Sequence, residues 1–184
     1  MIRIKKFSFF LFLLACLAIS LPANAQSLLS LGAGYYDIGK DDGAADFRLE
    51  YRPDVKLFWK IKPWVGGEVT SEASVWGGGG LILDLDVTDH IYFSPSFGAG
   101  LYAQGSSDKD LGHAIEFRSQ AELGYKFDGG QRLGVAFGHI SNASIGNKNP
   151  GVEILNLYYH VPIGTALSGS LPSLGGGRGG YNIF

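Results

Sequence analysis

The chain has a single cysteine, Cys16, and it falls within the first 25 residues. Past that point there is no thiol to form a disulfide, hold a metal or act as a nucleophile. Long apolar runs are missing too. Beyond residue 25 nothing approaches the roughly 18 consecutive apolar residues of a membrane-spanning helix. Charge is sparse, at 17% of residues, and a net charge of −2 leaves no basic footprint for nucleic acid. No Gly-x-Ser-x-Gly elbow occurs, which excludes an α/β-hydrolase at the level of its motif. Gly77 to Gly80 lacks the lysine that would follow in a phosphate-binding loop, and reads instead as a place where a strand curves.

What the chain does have is glycine, 28 of its 184 residues, and aromatic residues at 13%. It starts with a basic stretch, Met1 to Lys6, followed by an apolar core from Phe7 to Leu21 and the small-residue site Ala23-Asn24-Ala25. That order reads as an export signal, residues 1–25, rather than as a membrane anchor. Residues 26–163 then make one domain, and residues 164–184 a Gly-rich tail that reads as flexible. The tail ends in Phe184, as the assembly signals of outer-membrane proteins do.

Eight runs of the domain alternate with period two. From His113 to Phe127, Ile115, Phe117, Ala121, Leu123 and Tyr125 oppose Glu116, Arg118, Gln120, Glu122 and Lys126. From His90 to Ala103, Ile91, Phe93, Phe97 and Leu101 oppose Tyr92, Ser94, Ser96 and Tyr102. Leu28–Asp37, Phe47–Arg52, Trp64–Glu72, Leu81–Val87, Leu133–Asn142 and Glu153–Val161 complete the set, with turn signals such as Asp128-Gly129-Gly130 between them. The spacing implies an all-β fold, an eight-stranded antiparallel barrel.

The polar faces mix glycine, hydroxyls and both signs of charge, which a narrow lumen can absorb by pairing. The apolar faces carry aromatics near their ends, at Tyr35, Tyr51, Phe127 and Tyr159, like the girdles of outer-membrane barrels. The expectation is a transmembrane β-barrel of the Gram-negative outer membrane, not a lipocalin-like soluble one. His90 and His160 have lumen parity, and Asp84 and Asp86 are expected to pair with basic lumen residues.

Three polar residues break the apolar faces at one loop. Leu133, Val135 and Phe137 share a face with His139 and Ser141, and Glu153 begins the face continued by Leu155, Leu157, Tyr159 and Val161. With both termini periplasmic, the loop from Asn142 to Val152 is extracellular, so the trio meets lipid at the outer-leaflet level. A serine hydroxyl becomes a useful nucleophile when a base takes its proton, and histidine titrates in the right range. Glu153 on the next strand can orient that histidine and stabilise its cation. Asn142, Asn149 and the backbone N–H groups near Ala143 and Ser144 are candidate donors to an oxyanion. This placement suggests an esterase that works on a lipid.

The run His139-Ile140-Ser141-Asn142-Ala143, then Asn149-Pro150-Gly151-Val152-Glu153, then the final strand to Pro162-Ile163, resembles the lipid A 3-O-deacylases. The likeness is sharp over Gly129 to Ile163 and architectural before it. It implies an eight-stranded outer-membrane barrel with Ser141 as nucleophile, His139 as base and Glu153 as the orienting acid. It also implies Asn149 and the backbone N–H of Ser144 as oxyanion donors; the family pattern commonly has glycine at the latter position.

The expected substrate is lipid A, the membrane anchor of lipopolysaccharide, held in the outer leaflet and losing its ester-linked 3-position acyl chain as a 3-hydroxy fatty acid. No metal or organic cofactor and no nucleic-acid partner is implied. Two other readings of the same residues are a non-catalytic structural barrel, and a phospholipase or acyltransferase that uses the same nucleophile.

Overall fold

Alternating side chains give every strand one face for lipid and one for the lumen, and closing the sheet removes its edges. The computed structural model describes residues 27–40, 43–106 and 109–163. The expected export signal and the Gly-rich tail, residues 164–184, lie outside the described residues. The strands are β1 (Ser27–Tyr36), β2 (Ala44–Arg52), β3 (Ile61–Thr70), β4 (Val75–Leu83), β5 (Leu85–Asp86), β6 (Ile91–Ala103), β7 (Ile115–Lys126), β8 (Arg132–Ser141) and β9 (Val152–Ile163). β4 and β5 are two pieces of one barrel strand, interrupted at Asp84. All neighbours are antiparallel, and the β1–β9 and β4–β6 pairings close an eight-stranded barrel.

The outside is apolar and the inside polar, as the alternation implied. Leu49, Phe97, Leu123, Phe137 and Leu157 are exposed on the wall. So are Tyr35, Tyr51 and Phe127 near its ends, whereas Tyr159 is buried on the same face. The chain is a transmembrane β-barrel. The start of β1 and the end of β9 share one end with the β2–β3, β5–β6 and β7–β8 loops. The other end carries the β1–β2, β3–β4, β6–β7 and β8–β9 loops.

The strands enclose three buried arginines, Arg48, Arg52 and Arg118, among the carboxylates Asp46, Glu50, Glu68, Glu116 and Glu122. Arg48 pairs with Asp46 at 2.7 Å and Glu68 at 2.8 Å, and Arg52 bridges Glu50 and Glu122, each at 2.9 Å. His160 joins the network through Glu122 at 2.8 Å and Ser30 at 2.7 Å, as its lumen parity implied. Losing one member of such a pair leaves a buried charge uncompensated, at roughly 3–5 kcal/mol.

Strand starts and several parities differ from the alternation. β3 starts at Ile61, not Trp64, and the next strand starts at Val75, not Leu81, because backbone pairing continues through Lys62-Pro63 and the glycine run, where the side chains carry no apolar alternation. The glycine run lies inside β4, and its lumen-facing members leave room for indoles. A Cβ on Gly78 would come within 2.8 Å of Trp76, and one on Gly98 within 2.5 Å of Trp64. The two indoles stack with centroids 6.0 Å apart, and the Arg118 guanidinium lies 4.0 Å over Trp64.

Asp84 does pair with Arg132 at 2.8 Å and Lys62 at 3.1 Å, but it does so from the break between β4 and β5. Asp86 pairs with Lys60 and Lys126 at the barrel mouth and stays half exposed. His90 is not enclosed in the lumen but lies at its mouth. It precedes β6, where strand parity no longer holds, and is exposed with its ring stacked on Tyr125 at 5.3 Å.

Candidate active site

β8 pairs with β9 in a register that sets His139 directly opposite Glu153. Both residues are on the outer wall, and directly opposed antiparallel residues have Cβ atoms roughly 5 Å apart. His139 Nδ1 lies 3.2 Å from Glu153 Oε1, with the two side chains 41% and 47% exposed. A carboxylate at Nδ1 fixes the proton there and leaves Nε2 as the basic nitrogen. Ser141, the last residue of β8, is two positions further along the same face, opposite Phe117 of β7. Ser119 stands opposite His139 on that side. Phe117 stacks on Phe97 with centroids 6.1 Å apart, so apolar wall surrounds the polar trio.

Above Ser141 the chain turns sharply. Ala143 and Ser144 both have left-handed backbones, with φ of 51° and 64°. A glycine would adopt that conformation at no steric cost, which explains why glycine suits the Ser144 position. Asn149 ties the turn from across the loop. Its Oδ1 accepts from the Asn142 N–H at 3.0 Å, and its Nδ2 donates to Ser144 Oγ at 3.4 Å. Asn149 and Ser144 therefore stand together beside Ser141.

Asn142 is different. Its side chain is buried, and its amide donates to the carbonyls of Leu111 and Lys148, both at 2.8 Å. This corrects its candidacy as an oxyanion donor: the amide is occupied in joining the β6–β7 and β8–β9 loops.

The same two loops meet at the Asp110–Lys148 pair, 2.8 Å. The Lys148 ammonium and the Gly112 N–H hold the Asp110 carboxyl below its ordinary range. A third loop braces Glu153, whose carbonyl accepts from the Ile38 N–H at 3.0 Å.

One site residue was not singled out in the sequence. Gly151, with φ of 63°, passes so close to His139 that a Cβ would stand 2.7 Å from Cε1 and 3.2 Å from Nε2. Asn149-Pro150-Gly151 signals a turn, but only the folded loop shows which side chain the glycine admits.

Comparison with known proteins decides the family. The family model of lipid A 3-O-deacylase (PagL) matches residues 45–162, which take in His139, Ser141 and Glu153. The chain belongs to the lipid A 3-O-deacylase family. The lipid A deacylase PagL of Bordetella bronchiseptica is 30% identical over 115 residues, 61% of this chain and 62% of that protein. The matched region thus spans about three fifths of that relative's length.

Among solved structures, the outer membrane enzyme PagL aligns with a TM-score of 0.57 at 21% identity, covering 74% of this chain and 99% of that one. Neisserial surface protein A gives the same TM-score at 12% identity, covering 74% and 97%. The barrel fold is therefore common to proteins with different names, and the family assignment rests on sequence. As a family member with this fold, the chain is an outer-membrane β-barrel.

Proposed function

We propose that this barrel is an esterase that hydrolyses the ester-linked 3-position acyl chain of lipid A, with Ser141 as nucleophile, His139 as base and Glu153 as the acid that orients it. The observation that carries the reading is the His139–Glu153 contact, 3.2 Å long, on the lipid-facing wall at the strand end that bears Ser141. A carboxylate and an imidazole placed there add nothing to lumen packing, and the lipid they face is the substrate named by the family.

In this mechanism His139 Nε2 removes the Ser141 hydroxyl proton as Oγ attacks the acyl carbonyl. The tetrahedral oxyanion takes hydrogen bonds from the Ser144 N–H and the Asn149 amide. Such donors contribute roughly 3 kcal/mol each to the transition state. Collapse breaks the ester C–O bond, and the imidazolium passes its proton to the departing sugar oxygen. Water from the loop side, deprotonated by His139, then attacks the acyl-serine; the acyl C–Oγ bond breaks, the imidazolium returns its proton to Ser141 Oγ, and the 3-hydroxy fatty acid leaves. Glu153 stays ionised and holds the Nδ1 proton throughout. The outward placement lets an acyl chain approach sideways without leaving the bilayer.

The test is mass spectrometry of lipid A from cells that express the protein. Wild type should yield lipid A lighter by one 3-hydroxyacyl group. Ser141→Ala and His139→Ala should insert as folded barrels and leave lipid A unchanged. Activity within about threefold of wild type in either variant would overturn the assignment, since losing a general base typically costs at least roughly 10²-fold.

A further inference from the structure

At the end of the barrel opposite Ser141, the β2–β3 loop displays apolar side chains that no described residue covers. Val55, Leu57, Phe58 and Trp59 are 53%, 58%, 75% and 64% exposed. The loop is ordered by its own backbone: Leu57 N–H donates to the Ile61 carbonyl and Ile61 N–H to the Phe58 carbonyl, both at 2.9 Å. That tight turn holds Trp59 at φ 51°, a left-handed conformation unusual for a bulky residue. Lys56 and Lys60 alternate with the apolar residues and line the charged mouth of the lumen.

This patch continues the lipid-facing wall. On β3, Val65 and Val69 are exposed to lipid, and the run from Val69 down to Ile61 covers about 20 Å of barrel height at the usual strand rise and tilt. The tight turn that follows below Ile61 puts Trp59 near the edge of the roughly 25 Å apolar band of such barrels, the level of their aromatic girdles. Aromatic rings with lysine beside them suit the headgroup boundary of an anionic bilayer.

We propose that the Val55–Trp59 loop is an interfacial anchor. It seats in the headgroup–acyl boundary of the leaflet at the end of the barrel where β1 begins and β9 ends, and so sets the depth of the barrel in the membrane. This inference does not depend on the hydrolytic reading of Ser141.

Tryptophan fluorescence tests it directly. The chain has three tryptophans, and the other two, Trp64 and Trp76, are buried in the lumen at 3% and 2% exposure. The protein is reconstituted into phosphatidylethanolamine–phosphatidylglycerol vesicles containing phosphatidylcholine brominated near the headgroup end of its acyl chains. Wild-type emission should fall with these lipids and resist aqueous iodide, while Trp59→Phe should show almost no bromine-dependent loss. A heat-modifiable shift on gels confirms that the variant is folded, and the wild-type pair of quenchers decides the question even without it. Emission quenched by iodide but not by bromine would place the loop in water, free for a periplasmic protein, and overturn the proposal. Equal bromine quenching in wild type and Trp59→Phe would overturn it too.

Discussion

Replacing Gly151 with alanine adds one methyl group and should remove most of the activity. The new Cβ would sit 2.7 Å from His139 Cε1, whereas ordinary contacts begin near 3.4 Å, so the ring has to retreat by most of an ångström. The His139–Glu153 contact is already 3.2 Å long, and a shift of that size breaks it. A displacement of about 1 Å at a reacting group can lower the rate roughly 10²-fold. The backbone adds a separate penalty, since alanine at φ 63° costs roughly 1–2 kcal/mol. Gly130→Ala separates the two effects. Gly130 has φ of 84° in the β7–β8 turn, and among the described residues its Cβ would meet only Pro162, at an ordinary 3.5 Å. Both variants should lose similar stability in urea, measured by tryptophan emission in lipid. Only Gly151→Ala should lose lipid A deacylation, followed by mass spectrometry in mixed micelles. If Gly151→Ala keeps more than about a third of wild-type activity, the ring does not need its present position and the reasoning fails.

Glu153→Gln keeps the side chain's shape but not its charge, so activity should drop by roughly 10²-fold or more while urea stability hardly changes, and Glu153→Asp should fall between; equal activity in all three would make Glu153 an ordinary rim carboxylate. Ser144→Gly relieves the backbone at φ 64° and keeps the N–H, so activity should stay within about twofold and stability should rise by up to roughly 1 kcal/mol; a tenfold loss would assign the role to the hydroxyl instead. Arg118→Ala removes a guanidinium held between Glu50 and two indoles, and should cost roughly 3–5 kcal/mol in urea unfolding; a loss below about 1 kcal/mol would mean that lumen water replaces it.

Within the strands the sequence divides the side chains between the two sides of the wall, because strand alternation is a property of the backbone and the apolar set must face lipid. The outward parity of Ser141, His139 and Glu153, the inward parity of His160 and the arginine–carboxylate lumen all follow from it. Alternation stops at strand ends, which is why His90, one residue before β6, departs from its lumen parity. It also cannot see past polar or glycine-rich stretches, so β3 and β4 proved longer at their starts than the apolar pattern.

Register is a tertiary fact. The ten residues from Asn142 to Gly151 between β8 and β9 could close in several alignments, and only packing against the neighbouring strands sets His139 opposite Glu153. Close approach is tertiary for the same reason. Gly151 beneath the His139 ring, Asn142 between two loop carbonyls, and the glycines around Trp64 and Trp76 all depend on residues distant in sequence. A sequence lists the side chains available to each face, whereas which atoms meet depends on how the closed sheet brings those faces together.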